Sequence, residues 1–213
     1  MTHDEYSGDD LRVQRTHKLV LEALLDLTVQ KGFSALTVSD ITKYAGINRA
    51  TFYRHFRDKF DLLDNYAKAT NELLEVPFEV GLQKPDKVDT NQIVQGLTRV
   101  IDHIRANARF YRVMMGKNGD PGFTDKIRQY IQKRIRRSLP AGLQNVDLYV
   151  SYSSSASLGA ILWWLEHDMP YSPEEMAIIL HQLESGNLKA MLERDSSQQK
   201  STPPTSLTPG AQL

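Results

Sequence analysis

The chain reads as all-α, with about nine helices: an N-terminal three-helix unit and a larger C-terminal helical unit. Three observations carry this. Apolar residues recur at i, i+3, i+4, i+7 spacing, as in Val20, Ala23, Leu24 and Leu27, with charged residues between them. Residues that cap helices stand where the periodic segments begin or end: Gly32, Thr37, Gly46, Asn48 and Ser172. Strand-like alternation occurs in Val146, Leu148, Val150 and Tyr152, and no second run is evident to pair with it.

Taken in order, residues 1–10 ("MTHDEYSGDD") are polar and acidic; they predict a disordered arm and are no signal peptide. A helix starts at Leu11 and stops at Gly32. Thr37 caps a short second helix, and Asp40, three residues later, completes a capping box. Gly46 supplies the positive φ that ends it. Asn48 caps a third helix, Arg49 to Phe56. Two short helices joined around a glycine are the signature of a helix-turn-helix.

A longer helix follows from Asp58, halted by Pro77, and residues 81–89 ("GLQKPDKVD") read as a loop. The next helix begins at Thr90 and breaks near Asn107. Gly116–Gly122 ("GKNGDPG") is a turn cluster without the Gly-Lys-Ser/Thr ending of a phosphate-binding loop. A cationic helix spans 123–139, with Lys126, Arg128, Lys133, Arg134, Arg136 and Arg137. The segment from Val146 is taken as a helix because Leu158, Ile161, Leu162 and Leu165 have helical spacing. Pro173 opens the last helix, with Ser172 as its cap. From Ser196 onward 13 of 18 residues are Ser, Thr, Pro or Gln, which predicts a disordered tail. The expected division is an arm (1–10), a three-helix domain (11–60), a helical domain (61–195) and a tail (196–213).

Formal net charge is zero across 213 residues, so bulk charge names no partner. Its distribution is uneven. Residues 11–60 hold nine Lys/Arg against four Asp/Glu, and residues 147–195 hold two against eight. A basic lobe on a neutral protein fits a nucleic-acid footprint. Cysteine is absent, which excludes disulfides and thiolate metal sites. No apolar run reaches the roughly 18 residues of a membrane span. A cytoplasmic protein is expected, associated with the bacterial nucleoid when bound to DNA.

The stretch "GINRATFYRHFRDK", Gly46–Lys59, concentrates the chemistry. At about 100° per residue, Phe52 and Phe56 fall together and face Ile41, Ala45 and Ile47. The opposite side collects Ala50, Thr51, Tyr53, Arg54 and Arg57, with no acid among them. Tyr and Arg suit phosphate oxygens; Ala and Thr offer methyl groups to thymine. Arg49 is selected by its place in the first turn, where a recognition helix meets base edges. Lys59, opening the next helix, adds a cation and backbone N–H groups for phosphate. The competing readings are a solvated cationic helix end and a catalytic cluster around His55. His55 lacks an acid pair or a second histidine at ligand spacing, which favours phosphate contact or a supporting hydrogen bond.

The run "LTVSDITKYAGINRATFYRHFRDKFDLL" resembles the DNA-binding domain of TetR-family transcriptional regulators. The matching marks are Thr37, Ile41, Ala45-Gly46-Ile47, Thr51, Tyr53-x-His55-Phe56 and Lys59. The resemblance implies base contact by Arg49, Ala50 and Thr51, and phosphate contact by Thr37, Tyr53, His55 and Lys59. Ser39 stands where some members read a further base. Tyr44 departs from the family pattern, which has a smaller or charged residue there in many members.

The resemblance also implies a helical C-terminal domain that forms a homodimer and holds a small-molecule effector. Ser153–Ser157, Gly159 and Ala160 make one helix surface small enough for close packing, which suits a four-helix dimer interface. The candidate effector pocket is His103, Phe110, Tyr111, Met114, Met115, Tyr130, Trp163 and Trp164; ordinary core packing is the competing reading of these residues. The Trp-Trp-Leu stretch and the Pro-x-Ser-Pro-Glu-Glu-Met after it resemble a branch of the family that includes an activator of dihydroxyacetone kinase genes, which answers to a protein partner.

The expected function is thus a dimeric regulator of a double-stranded DNA operator, released by an effector, with no catalytic residue, cofactor or metal. An activator gated by a protein partner is the alternative. An all-helical enzyme is the third reading, and no nucleophile-elbow, zinc-protease, dinucleotide or paired-carboxylate pattern supports it.

Overall fold

The helix boundaries follow from local chemistry, and a computed structural model describes residues 3–75, 90–140 and 143–201. Among these residues there are nine helices and no strand. They are α1 (His3–Lys31), α2 (Val38–Ala45), α3 (Arg49–His55), α4 (Lys59–Glu75), α5 (Thr90–Ala106), α6 (Ala108–Met114), α7 (Pro121–Ser138), α8 (Val146–Glu166) and α9 (Pro173–Ser201).

Gly32 ends α1 at φ 81°, as its position predicts. The start of α1 differs from expectation. It begins at His3, ahead of the expected start at Leu11. Gly8 is the one strong helix breaker in that stretch and costs only about 1 kcal/mol, while an acidic sequence suits the positive end of a helix dipole. At the other end α9 runs to Ser201, past the expected start of the tail. The remaining tail, Pro77 and the 81–89 loop lie outside the described residues.

The segment with strand-like alternation is helical. Tyr149, Val150, Ser153, Ser157, Leu158, Ile161, Trp164 and Leu165 bury one face of α8, while Leu148 and Tyr152 stay exposed. The alternating residues satisfy a period of two by coincidence; burial follows the 3.6-residue period.

In the N-terminal unit α1 packs on α2, and α2 on α3. Beyond it, α4 lies against α5 and α7, α7 against α8, and α9 against α5. One continuous core joins the units, from Leu24, Ile41, Phe52 and Phe56 through Leu62 to Ile101, Tyr111, Phe123 and Trp164. Burying each such side chain contributes about 1.5–3 kcal/mol.

The cations of α7 are largely engaged in ion pairs. Lys126 pairs with Asp64 of α4, Arg134 with Glu184 of α9, and Arg136 with Asp147 of α8; Arg128 pairs with Asp125 on its own helix. The basic helix therefore ties its neighbours together. No described helix is long and apolar enough to cross a membrane.

Candidate nucleic-acid interface

Backbone chemistry sets the geometry of the α2–α3 corner. The Thr37 hydroxyl oxygen accepts from the Asp40 amide at 3.2 Å, and the Thr37 amide donates to Asp40 at 2.9 Å, closing the capping box. At the other end Gly46 sits at φ 66°, and Ile47 donates its amide to the Thr42 carbonyl at 3.1 Å. An added Cβ at Gly46 would meet open space, so backbone conformation alone demands glycine there. Asn48 then accepts from the Ala50 amide at 2.9 Å and starts α3.

Phe52 is wholly buried and Phe56 nearly so, packed on each other at 5.5 Å between ring centroids and backed by Ile41. This anchoring turns the other side of α3 outward. Arg49, Ala50, Tyr53 and Arg54 are exposed, and Thr51 is half-buried. Tyr53 leaves 56% of its surface in solvent, and its ring meets that of Phe52 edge-on at 5.6 Å. Among the described residues Arg49 and Arg54 enter no hydrogen bond or ion pair, so their cationic heads are available to an anion. Ser39, in the first turn of α2, is also exposed.

Four expected contacts meet different surroundings. Lys59 Nζ donates to the carbonyls of Phe33 (2.7 Å), Ser34 (3.1 Å) and Leu36 (2.8 Å) and lies 4.6 Å from the centre of the Phe33 ring. Burial holds its pKa below the ordinary lysine value. All three ammonium protons are committed inside the protein, which leaves none for a phosphate. The neighbouring amides are also engaged: Phe60 and Asp61 both donate to Asp58 at 2.8 Å, so Asp58 caps α4 where an anion was expected. Sequence spacing places Lys59 at a helix start, but the carbonyls it binds come from the α1–α2 connection 23 to 26 residues earlier.

Thr37 donates its hydroxyl proton to Asp40 at 2.6 Å. That bond, then Lys31 and the Thr37 amide, hold the Asp40 carboxyl well below the usual range. Arg57 bonds Asp61 through its guanidinium (2.8 Å) and its amide (2.9 Å). His55 is half-buried, its ring edge-on to His17 of α1 at 5.1 Å. His17 has a buried Nε2 without a hydrogen-bond partner among the described residues, and burial first, then the charge of His55, lower its pKa.

The candidate effector residues divide into two groups. Phe110, Tyr111, Met114 and Trp164 are fully buried, Met115 and Tyr130 half-buried. His103 Nε2 lies 3.1 Å from the Tyr111 hydroxyl oxygen, and burial lowers its pKa. Trp163 stands apart. It is 45% exposed and stacks on His167 at 4.5 Å, because successive helix positions point about 100° away from each other.

One polar cluster went unpredicted. Tyr44, conspicuous only as a departure from the family pattern, donates its hydroxyl to Asp26 of α1 at 3.0 Å. Arg109 of α6 forks to the same Asp26 and to Glu22.

Comparison with known proteins agrees with the geometry. Residues 20–66 match the bacterial regulatory proteins of the tetR family, and residues 91–186 match a transcriptional regulator C-terminal region. An uncharacterised HTH-type transcriptional regulator of Bacillus subtilis, YxbF, is 24% identical over 160 residues, which are 74% of this chain and 42% of that protein. A second from the same organism, YdeS, is 32% identical over 100 residues, 46% of this chain and 43% of that protein. The chain thus spans less than half the length of these two relatives. The HTH-type transcriptional regulator SrpR of Pseudomonas putida is 21% identical over 177 residues, 78% of this chain and 81% of that protein. In fold, the dihydroxyacetone kinase operon activator DhaS superposes with a TM-score of 0.54 at 19% identity, over 82% of this chain and 97% of that one. A TetR-family regulator from Syntrophomonas wolfei gives 0.55 at 19% identity, over 82% and 95%. With a matched helix-turn-helix region and a matched regulator C-terminal region, the chain belongs to the TetR family of transcriptional regulators.

Proposed function

We propose that this chain is a homodimeric repressor that binds a near-palindromic operator and leaves it when a small molecule occupies the C-terminal domain. The observation that carries the reading is the outer face of α3. Arg49, Ala50, Tyr53 and Arg54 are exposed there beside Thr51, on a helix anchored from behind by Phe52 and Phe56. Arg49 reads a guanine edge, Ala50 and Thr51 meet thymine methyls, and Tyr53 and Arg54 hold phosphates. Ser39 reads a further base from α2. His55 supports the helix from its half-buried place against His17. The reading head comprises residues 11–60 and the dimerisation and effector unit residues 61–195.

Dimerisation is assigned to α8 and α9. Leu148, Tyr152 and Trp163 are exposed along one stripe of α8, with Gly159 between them, and Leu183 is exposed on α9. A Cβ at Gly159 would meet open space, so a partner helix can approach closely there. A two-fold dimer presents two copies of α3 to half-sites about one helical turn, or a multiple of it, apart. The effector site is assigned to the His103–Tyr111 pair with Phe110, Met114, Met115, Tyr130 and Trp164. The alternative, an activator gated by a protein partner, would find few free cations on α7 for an acidic partner, because Lys126, Arg128, Arg134 and Arg136 are committed to ion pairs.

Selection of duplexes from a random library by the full chain is the test. Recovery of a palindromic site, bound with a steep dependence on salt, supports the reading; recovery of no enriched sequence rejects it.

A further inference from the structure

Helix α6 has seven residues and holds both halves of the molecule by its arginines. Arg109, in its first turn, forks to Glu22 and Asp26 of α1. Asp26 also accepts the Tyr44 hydroxyl of α2 at 3.0 Å. One carboxylate therefore joins a guanidinium of the C-terminal unit to a phenol of the helix-turn-helix. Tyr44 is the residue before Ala45, which packs with Ile41 beneath α3. Three residues after Arg109, Arg112 donates to the Leu165 carbonyl at 2.6 Å and to Asp168 at 3.0 Å. It thus grips the C-terminal end of α8, where Asp168 and Met169 both hold φ 56°. Between the two arginines, Tyr111 faces His103 of α5.

We propose that Arg109 is the positioning residue that couples the C-terminal domain to the reading head, acting through Asp26 and Tyr44. A displacement of α6, whether from the His103–Tyr111 side or from the end of α8, moves the guanidinium. Asp26 and Tyr44 follow, and α2 with them, so the orientation of α3 depends on α6. The coupling acts through geometry, since half-exposed ion pairs contribute little stability. Arginine suits the task because a planar fork reaches two carboxylates at once, which lysine does not. The assignment rests on reading the chain as a DNA-binding regulator whose C-terminal domain controls it.

The test uses the full chain with R109Q, R109K, Y44F and the R109Q/Y44F double variant. Hydrogen exchange of the α2 and α3 amides is measured without DNA, and binding is measured on the duplex selected by the wild type and on copies with half-sites moved by a base pair. The expected results are faster α2–α3 exchange in R109Q and Y44F, with α7–α8 unchanged, and a non-additive double variant. Affinity falls about three- to tenfold, and R109Q discriminates less than the wild type among spacings, with R109K intermediate. A purely structural Arg109 would weaken all spacings equally and raise exchange throughout α1. Unchanged α2–α3 exchange in R109Q, or additive effects of R109Q and Y44F, overturns the proposal. If the wild type selects no duplex, the DNA-binding reading fails, and the exchange data alone decide whether Arg109 positions α2.

Discussion

The ammonium of Lys59 lies 2.7 Å from the carbonyl oxygen of Phe33. With Ser34 and Leu36 it completes a three-carbonyl cap that ties the start of α4 to the end of the α1 loop. The cation expected at a phosphate is thus held by the protein's own carbonyls.

Replacement of Lys59 should therefore act on folding. Lys59→Met leaves the partly buried carbonyl of Leu36 unpaired and that of Phe33 with only the Leu36 amide, and a cost of about 1–3 kcal/mol is expected. Urea denaturation measures it. The salt slope of binding to a selected duplex should stay at the wild-type value; a drop of one unit would return Lys59 to the phosphate contacts.

Arg49 and Arg54 should separate by kind of effect. Arg49→Ala is expected to cost about 1–3 kcal/mol and to relax preference at one base pair. Arg54→Ala should weaken all sequences alike and lower the salt slope by about one. Titrations of the selected site and a scrambled site at several salt concentrations distinguish the two.

Acid should destabilise the chain through His17. Its folded pKa lies below 6.5, from burial and then from the charge of His55. Above that pH the ring is neutral in both states and contributes no difference. As pH falls below 6.5 the unfolded chain takes up a proton that the folded chain resists, so stability declines. Urea midpoints followed from about pH 8 to 5 should fall on the acid side and fall less in His17→Leu. Equal acid slopes in the two proteins would assign the decline to other groups.

The Arg134–Glu184 pair is almost out of solvent, with side-chain exposures of 8% and 17%. Glu184 also accepts from Ser157 at 2.9 Å. Arg134→Met strands this carboxylate, and a loss of about 3–5 kcal/mol is expected. Adding Glu184→Leu should recover most of it. Thermal denaturation of the single and double variants gives the comparison, and a double variant as unstable as Arg134→Met would show that packing, not the stranded charge, dominates.

Legibility from sequence followed the range of the interaction. Thr37, Gly46, Asn48 and Ser172 were readable because each caps a helix within three residues of itself. The α3 wheel was readable because Phe52 and Phe56 are one turn apart. Residues 3–10 were less legible, since a polar composition with Gly8 in its middle weakens the helical signal, although one glycine costs only about 1 kcal/mol. The surroundings of Lys59 were not legible for another reason: its three acceptors are backbone carbonyls, which no side-chain pattern encodes.

By itself, then, the sequence determined the all-helical class, the helix-turn-helix and the outward face of α3. Periodicity, caps and a glycine turn act over one or two turns of chain, and they are written locally. Only the tertiary structure decided which charges are available. It committed Lys59 to Phe33, Ser34 and Leu36, Arg57 to Asp61, and Lys126, Arg136 and Arg134 of α7 to α4, α8 and α9 in turn. It also brought Arg109 to Asp26 across 83 residues. A side chain's charge is fixed by its identity, but its partner is fixed by which helices pack together.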